Sequence, residues 1–432
     1  MKNKEKINII TLGCSKNTVD SERLLNQIRA NNFKLTEDPN NAETIIINTC
    51  GFIEAAKKES IDTILSAVAL KLEGKVNKVI VAGCLSERYK NELVKEIPEV
   101  DAYFGTENYE AILKELGGEL KYNLLGERLL TTPSHTAYLK ISEGCDHPCS
   151  FCAIPLMRGK HKSKPIDDLL KEAEFLSKNG AKEIVIIAQD TTDYGKDIYS
   201  KRSLASLLKQ LTAIEGIEWV RLMYAYPSHF PNDVIDEIAS NPKICKYVDL
   251  PLQHISDNVL KSMRRGVTGK ITRELLAKLR ERVPDITIRT TFIVGYPNET
   301  EKDFEELCEF VKDNKFDRFG VFPFSVEENT SSFILGDQIP EKEKQRRKDK
   351  LMEIQKEISL EKNKSFVGKK LKVLVETREG EYYVGRTYRD APEVDGEILI
   401  PLNDEKIILG KFYTVEVFDY NEYDLYGKFS EK

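Results

Sequence analysis

From residue 7 to residue 324, short apolar runs alternate with stretches of helical periodicity. That alternation leaves few folds open, because parallel strands need crossover connections and helices supply them. The repeat falls into two blocks. In the first, apolar runs at 7–12, 44–48, 78–82 and 102–105 precede helical patterns at 19–30, 55–72, 87–97 and 109–116. This predicts an α/β, doubly wound N-terminal domain over 5–118. A connector follows at 117–135, opening on Gly117-Gly118 and carrying Pro133. From Thr136 the strand-helix unit recurs six times, with strands expected at 136–142, 183–188, 219–224, 247–250, 287–294 and 318–324. Six units predict a partial (βα)6 barrel, open on one side, in a domain over 131–362. A charged helix at 340–363, with Leu351, Ile354 and Ile358 as its apolar stripe, closes that domain. The last block, 364–432, carries strand patterns at 371–376, 382–388, 397–401 and 412–418, and predicts a small C-terminal all-β barrel of the oligonucleotide-binding kind.

The cysteines fall where this topology gives them a use. Cys145, Cys149 and Cys152 are spaced C-x3-C-x2-C just past the first strand of the six-fold repeat. In barrels of parallel strands, chemistry sits at the carboxyl ends. Three thiolates this close can converge on one soft metal centre: an iron–sulfur cluster, or zinc with His147 as a fourth ligand. Burial as inert thiols fits poorly with a loop of Gly, Asp, Pro and Ser. Cys14, Cys50 and Cys84 each follow one of the first three strands, each beside a glycine. They share the sheet edge where ligands bind in open α/β folds, and form a second candidate three-cysteine site. Cys245 and Cys308 have no partner at metal-binding spacing.

Composition narrows the function. The 432 residues carry a net charge of −6, which argues against a generic nucleic-acid binder. The final 69 residues hold eleven Lys or Arg against fourteen Asp or Glu, so a barrel there prefers a basic partner to a phosphate backbone. The start, Met1-Lys2-Asn3-Lys4, leads into a first strand rather than a signal peptide, and no apolar run reaches membrane-spanning length. Eight cysteines with three in one loop suit metal binding in a reducing cytoplasm.

The loop Glu143-Gly144-Cys145-Asp146-His147-Pro148-Cys149-Ser150-Phe151-Cys152 resembles the radical S-adenosylmethionine (SAM) superfamily. That resemblance implies a [4Fe–4S] cluster on Cys145, Cys149 and Cys152, whose open iron takes SAM for reductive cleavage to a 5'-deoxyadenosyl radical. Two three-cysteine sites, this core and a terminal barrel together look like the radical SAM methylthiotransferase family, across essentially the whole chain. In that family the first domain carries an auxiliary cluster, here implied on Cys14, Cys50 and Cys84, and the terminal barrel is called TRAM. The motifs Thr11-Leu12-Gly13-Cys14-Ser15-Lys16-Asn17, Tyr138-Leu139-Lys140-Ile141-Ser142-Glu143-Gly144-Cys145 and Ala391-Pro392-Glu393-Val394-Asp395-Gly396 are similar to the RimO-type branch. The transfer-RNA branch normally has Gln-Met or a similar pair where this chain has Ser15-Lys16.

The resemblance implies transfer of a methylthio group to the β-carbon of an aspartate of small-subunit ribosomal protein twelve, free or in the ribosomal particle. It implies two [4Fe–4S] clusters, two SAM molecules per turnover and an electron donor such as flavodoxin or ferredoxin, and leaves the sulfur donor open. By position and family pattern, Phe151, Gln189, Gln253, Gly295 and Glu299 are the expected cofactor contacts, with Phe322–Ser325 able to stack the adenine. The alternatives are a transfer-RNA adenosine methylthiotransferase and, in another class, a non-catalytic iron–sulfur sensor that binds a ribosomal partner.

Overall fold

The computed structural model describes residues 5–402 and 406–430. Met1–Lys4 and the barrel charges at Asp404, Glu405, Glu431 and Lys432 lie outside the described residues. The first domain is a five-stranded parallel sheet. Across it run Lys34–Leu35, Lys6–Thr11, Thr44–Thr49, Lys78–Gly83 and Ala102–Tyr103. Its centre is Ile45, Ile46 and Ile47 beside Val79, Ile80 and Val81, none of them exposed, as a strand covered on both faces requires. The two-residue edge strand Lys34–Leu35 was not expected; it is too short to show a period.

The core sheet has six parallel strands in chain order: Thr136–Lys140, Glu183–Ile187, Trp219–Leu222, Ile244–Asp249, Thr287–Val294 and Arg318–Pro323. It does not close. Alternation along the strands separates two environments. Ala137, Leu139, Ile184, Ile186, Val220 and Leu222 pack outward in the large helix-covered core. Tyr138, Val185, Ile187, Trp219 and Tyr247 belong to a second cluster, shared with Val19 of the first domain and Leu374 and Ala391 of the last. The concave side of the partial barrel is therefore filled by its two neighbours.

Each neighbour is bolted on through buried charge. Helix Ser15–Ala30 has eleven buried residues, of which only Val19, Leu24 and Ile28 are apolar. Arg23 pairs with Glu172 at 2.9 Å, and Arg128 reaches Glu22 at 3.0 Å and Glu172 at 3.2 Å. On the other side, Arg386 meets Glu183 at 2.6 Å, and Arg221 donates to the Tyr388 carbonyl at 2.7 Å. Buried ions of this kind add little net stability but are costly to break singly, which fixes one docking arrangement.

The terminal domain is a closed five-stranded barrel of Lys370–Glu379, Tyr382–Arg386, Ile398–Pro401, Lys411–Tyr420 and Leu425–Phe429. The last strand was not expected, because Gly427 and Lys428 break its alternation. Helix Glu341–Lys364 buries Leu351 and Ile358 against the core before entering the barrel. Among the described residues, no helix is long and apolar enough to cross a membrane.

Candidate active site

The carboxyl ends of both sheets face one cavity of about 360 Å³. All six predicted cysteines line it. Cys14, the N-cap of helix Ser15–Ala30, is extended at φ −113° and ψ 168°. Cys50 follows strand Thr44–Thr49 and is pinned on both sides: its N–H donates to Ser60 Oγ at 3.0 Å while that hydroxyl donates back to the Cys50 carbonyl at 2.9 Å. Cys84 opens helix Cys84–Glu96. Two glycines make this convergence possible. At Gly13, φ +92°, an added Cβ would fall 2.7 Å from Cys50 Cβ; at Gly83, φ +96°, it would fall 2.6 Å from the Thr49 carbonyl oxygen.

The other triad is held locally. A two-stranded ribbon, Ser142–Glu143 against Lys162–Ser163, closes the loop base. Cys145 N–H donates to the Gly159 carbonyl at 3.1 Å, and Cys152 N–H to the Cys149 carbonyl at 3.2 Å. Ser150 hydrogen-bonds the Tyr296 hydroxyl at 2.8 Å. The short helix Ile154–Arg158 then packs Ile154 and Met157 against Cys84, so one turn of chain joins the two thiol sets.

The donor sets fit clusters better than a single ion. Tetrahedral zinc holds its sulfurs about 3.8 Å apart. Among the described residues, no three ligand atoms that include a cysteine sulfur lie within 4.8 Å of one another. His147 is also committed elsewhere: its Nε2 meets Asp190 Oδ2 at 2.6 Å and its ring stacks on Tyr226 at 3.6 Å. Burial pushes the Cys84, Cys145 and Cys152 thiols up to about 12. Burial thus favours the thiol form at neutral pH, and a metal centre bound there would have to displace the proton.

Among the described residues the cavity wall carries Lys16, Arg158 and Arg265 and no Asp or Glu, in a chain of net charge −6. Arg158 donates to Asp20 at 2.9 Å and Glu143 at 3.0 Å. Arg265 donates to Cys149 Sγ at 3.4 Å and to the Pro251 carbonyl at 2.7 Å. Beneath Arg158, Lys140 pairs with Asp20, with Glu107 at 2.8 Å and with Glu143 at 2.5 Å. Burial would lower both pKa values, but Asp20, Glu143 and Glu107 at Lys140, and Asp20, the Cys84 sulfur and Glu143 at Arg158, outweigh it and hold both above their ordinary range.

Of the other expected contacts, Phe151, Gln189 and Gln253 line the cavity. Gln189 Nε2 donates to Glu143 at 2.9 Å, and its buried Oε1 has no partner. Gln253 is held at φ +71° by a bridge to Phe292, a left-handed conformation uncommon for such a side chain. Gly295 and Glu299 are not brought to this lining. Glu299 Oε2 accepts the Gly295 and Tyr296 N–H groups, at 2.5 and 3.0 Å, and Oε1 lies 3.0 Å from Arg347. The carboxylate is consumed in shaping the turn that carries Tyr296. Phe322 is also absent from the lining and half exposed. Sequence reasoning missed Tyr224, Tyr226 and Arg265. The two tyrosines lie just past strand Trp219–Leu222, so the strand-end rule could have found them; Arg265 has no such signal.

Residues 6–105 match the Uncharacterized protein family UPF0004, 139–311 the Radical SAM superfamily and 367–429 the TRAM domain. The chain is 52% identical over 427 residues to the ribosomal protein uS12 methylthiotransferase RimO of Cytophaga hutchinsonii, covering 98% of each. It is 54% identical over 428 residues to that of Flavobacterium johnsoniae, again covering 98% of each. The chain belongs to the uS12 methylthiotransferase family. It is thus a radical SAM enzyme, and the family brings SAM and [4Fe–4S] chemistry with it. Among solved structures, the radical SAM methyltransferase TsrM from Kitasatospora setae, with cobalamin and a [4Fe-4S] cluster bound, aligns at TM-score 0.55 and 13% identity. That alignment covers 76% of this chain and 77% of TsrM, a likeness of fold alone.

Proposed function

We propose that this chain transfers a methylthio group to the β-carbon of an aspartate of ribosomal protein uS12. The observation that carries the proposal is the single cavity walled by both cysteine triads. Cys145, Cys149 and Cys152 would hold the [4Fe–4S] cluster that engages SAM, and Cys14, Cys50 and Cys84 a second cluster that presents sulfur. Cluster and SAM together supply a radical able to remove an unactivated hydrogen, which acid–base side chains cannot do. The chain's own residues do the rest. Arg265 and Arg158 offset negative charge at one triad each. Phe151, Gln189 and Gln253 would contact the cofactor, and Gln189 Oε1 is a buried acceptor in need of a donor. Gly295 and Glu299 act at one remove, by fixing the Tyr296 turn against Ser150 in the cysteine loop. The acidic barrel favours a basic protein partner, and the electron donor would be of the flavodoxin or ferredoxin class. Full-length likeness to uS12 enzymes leaves the transfer-RNA and sensor alternatives without comparable support.

The test offers small ribosomal subunits and bulk transfer RNA together to anaerobic, cluster-reconstituted protein with SAM and reductant. A methylthio mass gain on one aspartate of uS12 is expected. A gain on a transfer-RNA adenosine, or on neither, would overturn the assignment.

A further inference from the structure

We infer that the Lys16 ammonium recognises the side-chain carboxylate of the substrate, an inference that rests on the proposed reaction and deepens it. Lys16 lies two residues after Cys14 and lines the cavity, with only 7% of its surface exposed. Its Nζ sits 2.9 Å from the centroid of the Tyr224 ring. That ring is itself held in an unusual place, because Tyr224 has φ +58° and its N–H donates to Asp249 at 3.1 Å. A bulky residue kept in the left-handed region just past a strand end is over-determined by its surroundings.

The allocation of charge on the cavity wall singles Lys16 out. Arg158 is anchored to Asp20 and Glu143, and Arg265 to Cys149 and Pro251. Each arginine thus stands by one thiol triad. The Lys16 ammonium has no hydrogen bond or ion pair with any described residue, and among the described residues no carboxylate lines the cavity. An ammonium that lines the cavity and whose side-chain contact is an aromatic ring keeps its N–H donors available to an incoming anion. Lys16 belongs to the first domain, has its head on a ring of the core, and lines the cavity that both triads share. A carboxylate reaching that space would gain a charge-assisted hydrogen bond. An aspartate side chain is such a group, and the same ammonium would offer nothing comparable to a neutral base.

The experiment uses cluster-reconstituted, full-length protein, as wild type, Lys16→Met and Lys16→Arg. Met keeps an apolar stem over Tyr224 and removes the charge. Anaerobic titrations measure the Kd for uS12, for uS12 with the modified aspartate changed to asparagine, and for SAM. Iron content and thermal midpoint show whether each variant is folded. Wild type should bind the aspartate form about tenfold or more tightly than the asparagine form, the loss expected for one charge-assisted hydrogen bond. Lys16→Met should bind both forms equally weakly with its SAM Kd unchanged, and Lys16→Arg should recover part of the preference. If wild type shows no preference, a comparison that needs no variant, the inference falls. If Lys16→Met keeps the preference, or loses SAM affinity instead, the ammonium serves structure or the cofactor carboxylate and the inference also falls. Failure of the underlying reading looks different: wild type would neither bind nor modify uS12.

Discussion

The two cysteine triads reach one cavity by opposite routes. Cys145, Cys149 and Cys152 span eight residues, and the ribbon, Gly159 and Ser150 hold their loop in place. Cys14, Cys50 and Cys84 span seventy-one residues and come from the ends of three neighbouring strands. The first geometry is local and needs little beyond its own turn. The second exists only when a sheet has formed and two glycines let its loops touch. A convergent set of thiols can therefore be encoded as spacing or as topology, and the second kind is the more fragile to remote change.

The sharpest way to separate the triads is to remove one thiol from each. Cys149→Ala should reduce SAM cleavage to background, whereas Cys50→Ala should retain cleavage and lose methylthio product; chromatography of 5'-deoxyadenosine beside mass spectrometry of uS12 reads both. Equal effects on both products would erase the proposed division of labour. Next in size is the glycine contact. Gly13→Val places side-chain atoms against Cys50 at a positive φ and, on the proposed two-cluster reading, should cut bound iron by about half with loop-triad SAM cleavage kept. Iron assay and electron paramagnetic resonance check this.

The docking of the two domains comes next. Arg23→Met leaves Glu172 short of a buried partner, and should cost about 3–5 kcal/mol in urea unfolding. Methylthio product should fall more than SAM cleavage, since the strand-edge triad rides on the docked domain. The same pair predicts an acid limb. Burial by itself would raise the Glu172 carboxyl, but Arg23, Lys164 and Arg128 outweigh it and hold the group at about 2, below its ordinary 4.5. Its contribution is present above the unfolded value and lost as pH falls from about 5 towards about 2. Thermal midpoints should fall more steeply over that range in wild type than in Glu172→Gln. The smallest effect is at the surface: Lys372→Ala opens an exposed pair with Glu218 and should shift stability by less than about 0.5 kcal/mol.

Much of this was legible in the chain. The strand runs carry their own period, and cysteines placed at strand ends must share a sheet edge whatever the details of packing. Other features had no local signal. The period in helix Ser15–Ala30 begins at Val19, so the first turn, Ser15 to Thr18, was missed; it is polar, yet Lys16 and Asn17 are buried. The stretch Ala391 to Gly396 read as a family motif, but its part in holding the molecule together did not show. Asp395 accepts from the Tyr247 hydroxyl at 2.7 Å and the Ala391 N–H at 2.9 Å, and meets Arg289 at 3.3 Å, fastening the barrel to the core. Glu299, an expected cofactor contact, turns instead onto the Gly295 and Tyr296 N–H groups and is not among the residues lining the cavity. Position at a strand end does not say whether a carboxylate faces the cavity or caps its own turn.

The sequence by itself determined the three folds, the two thiol sets and the sheet edges they occupy, because spacing and hydrophobic period are properties of neighbours along the chain. Only the tertiary structure decided that both sets open into one cavity, that arginines 158 and 265 stand one to each, and that the Lys16 ammonium lines the same cavity over the Tyr224 ring. Those outcomes depend on buried ion pairs between residues more than a hundred positions apart, such as Arg23 with Glu172 and Lys140 with Asp20. No local propensity encodes such pairs. They form because a charge taken out of water must find a partner wherever the fold has put one.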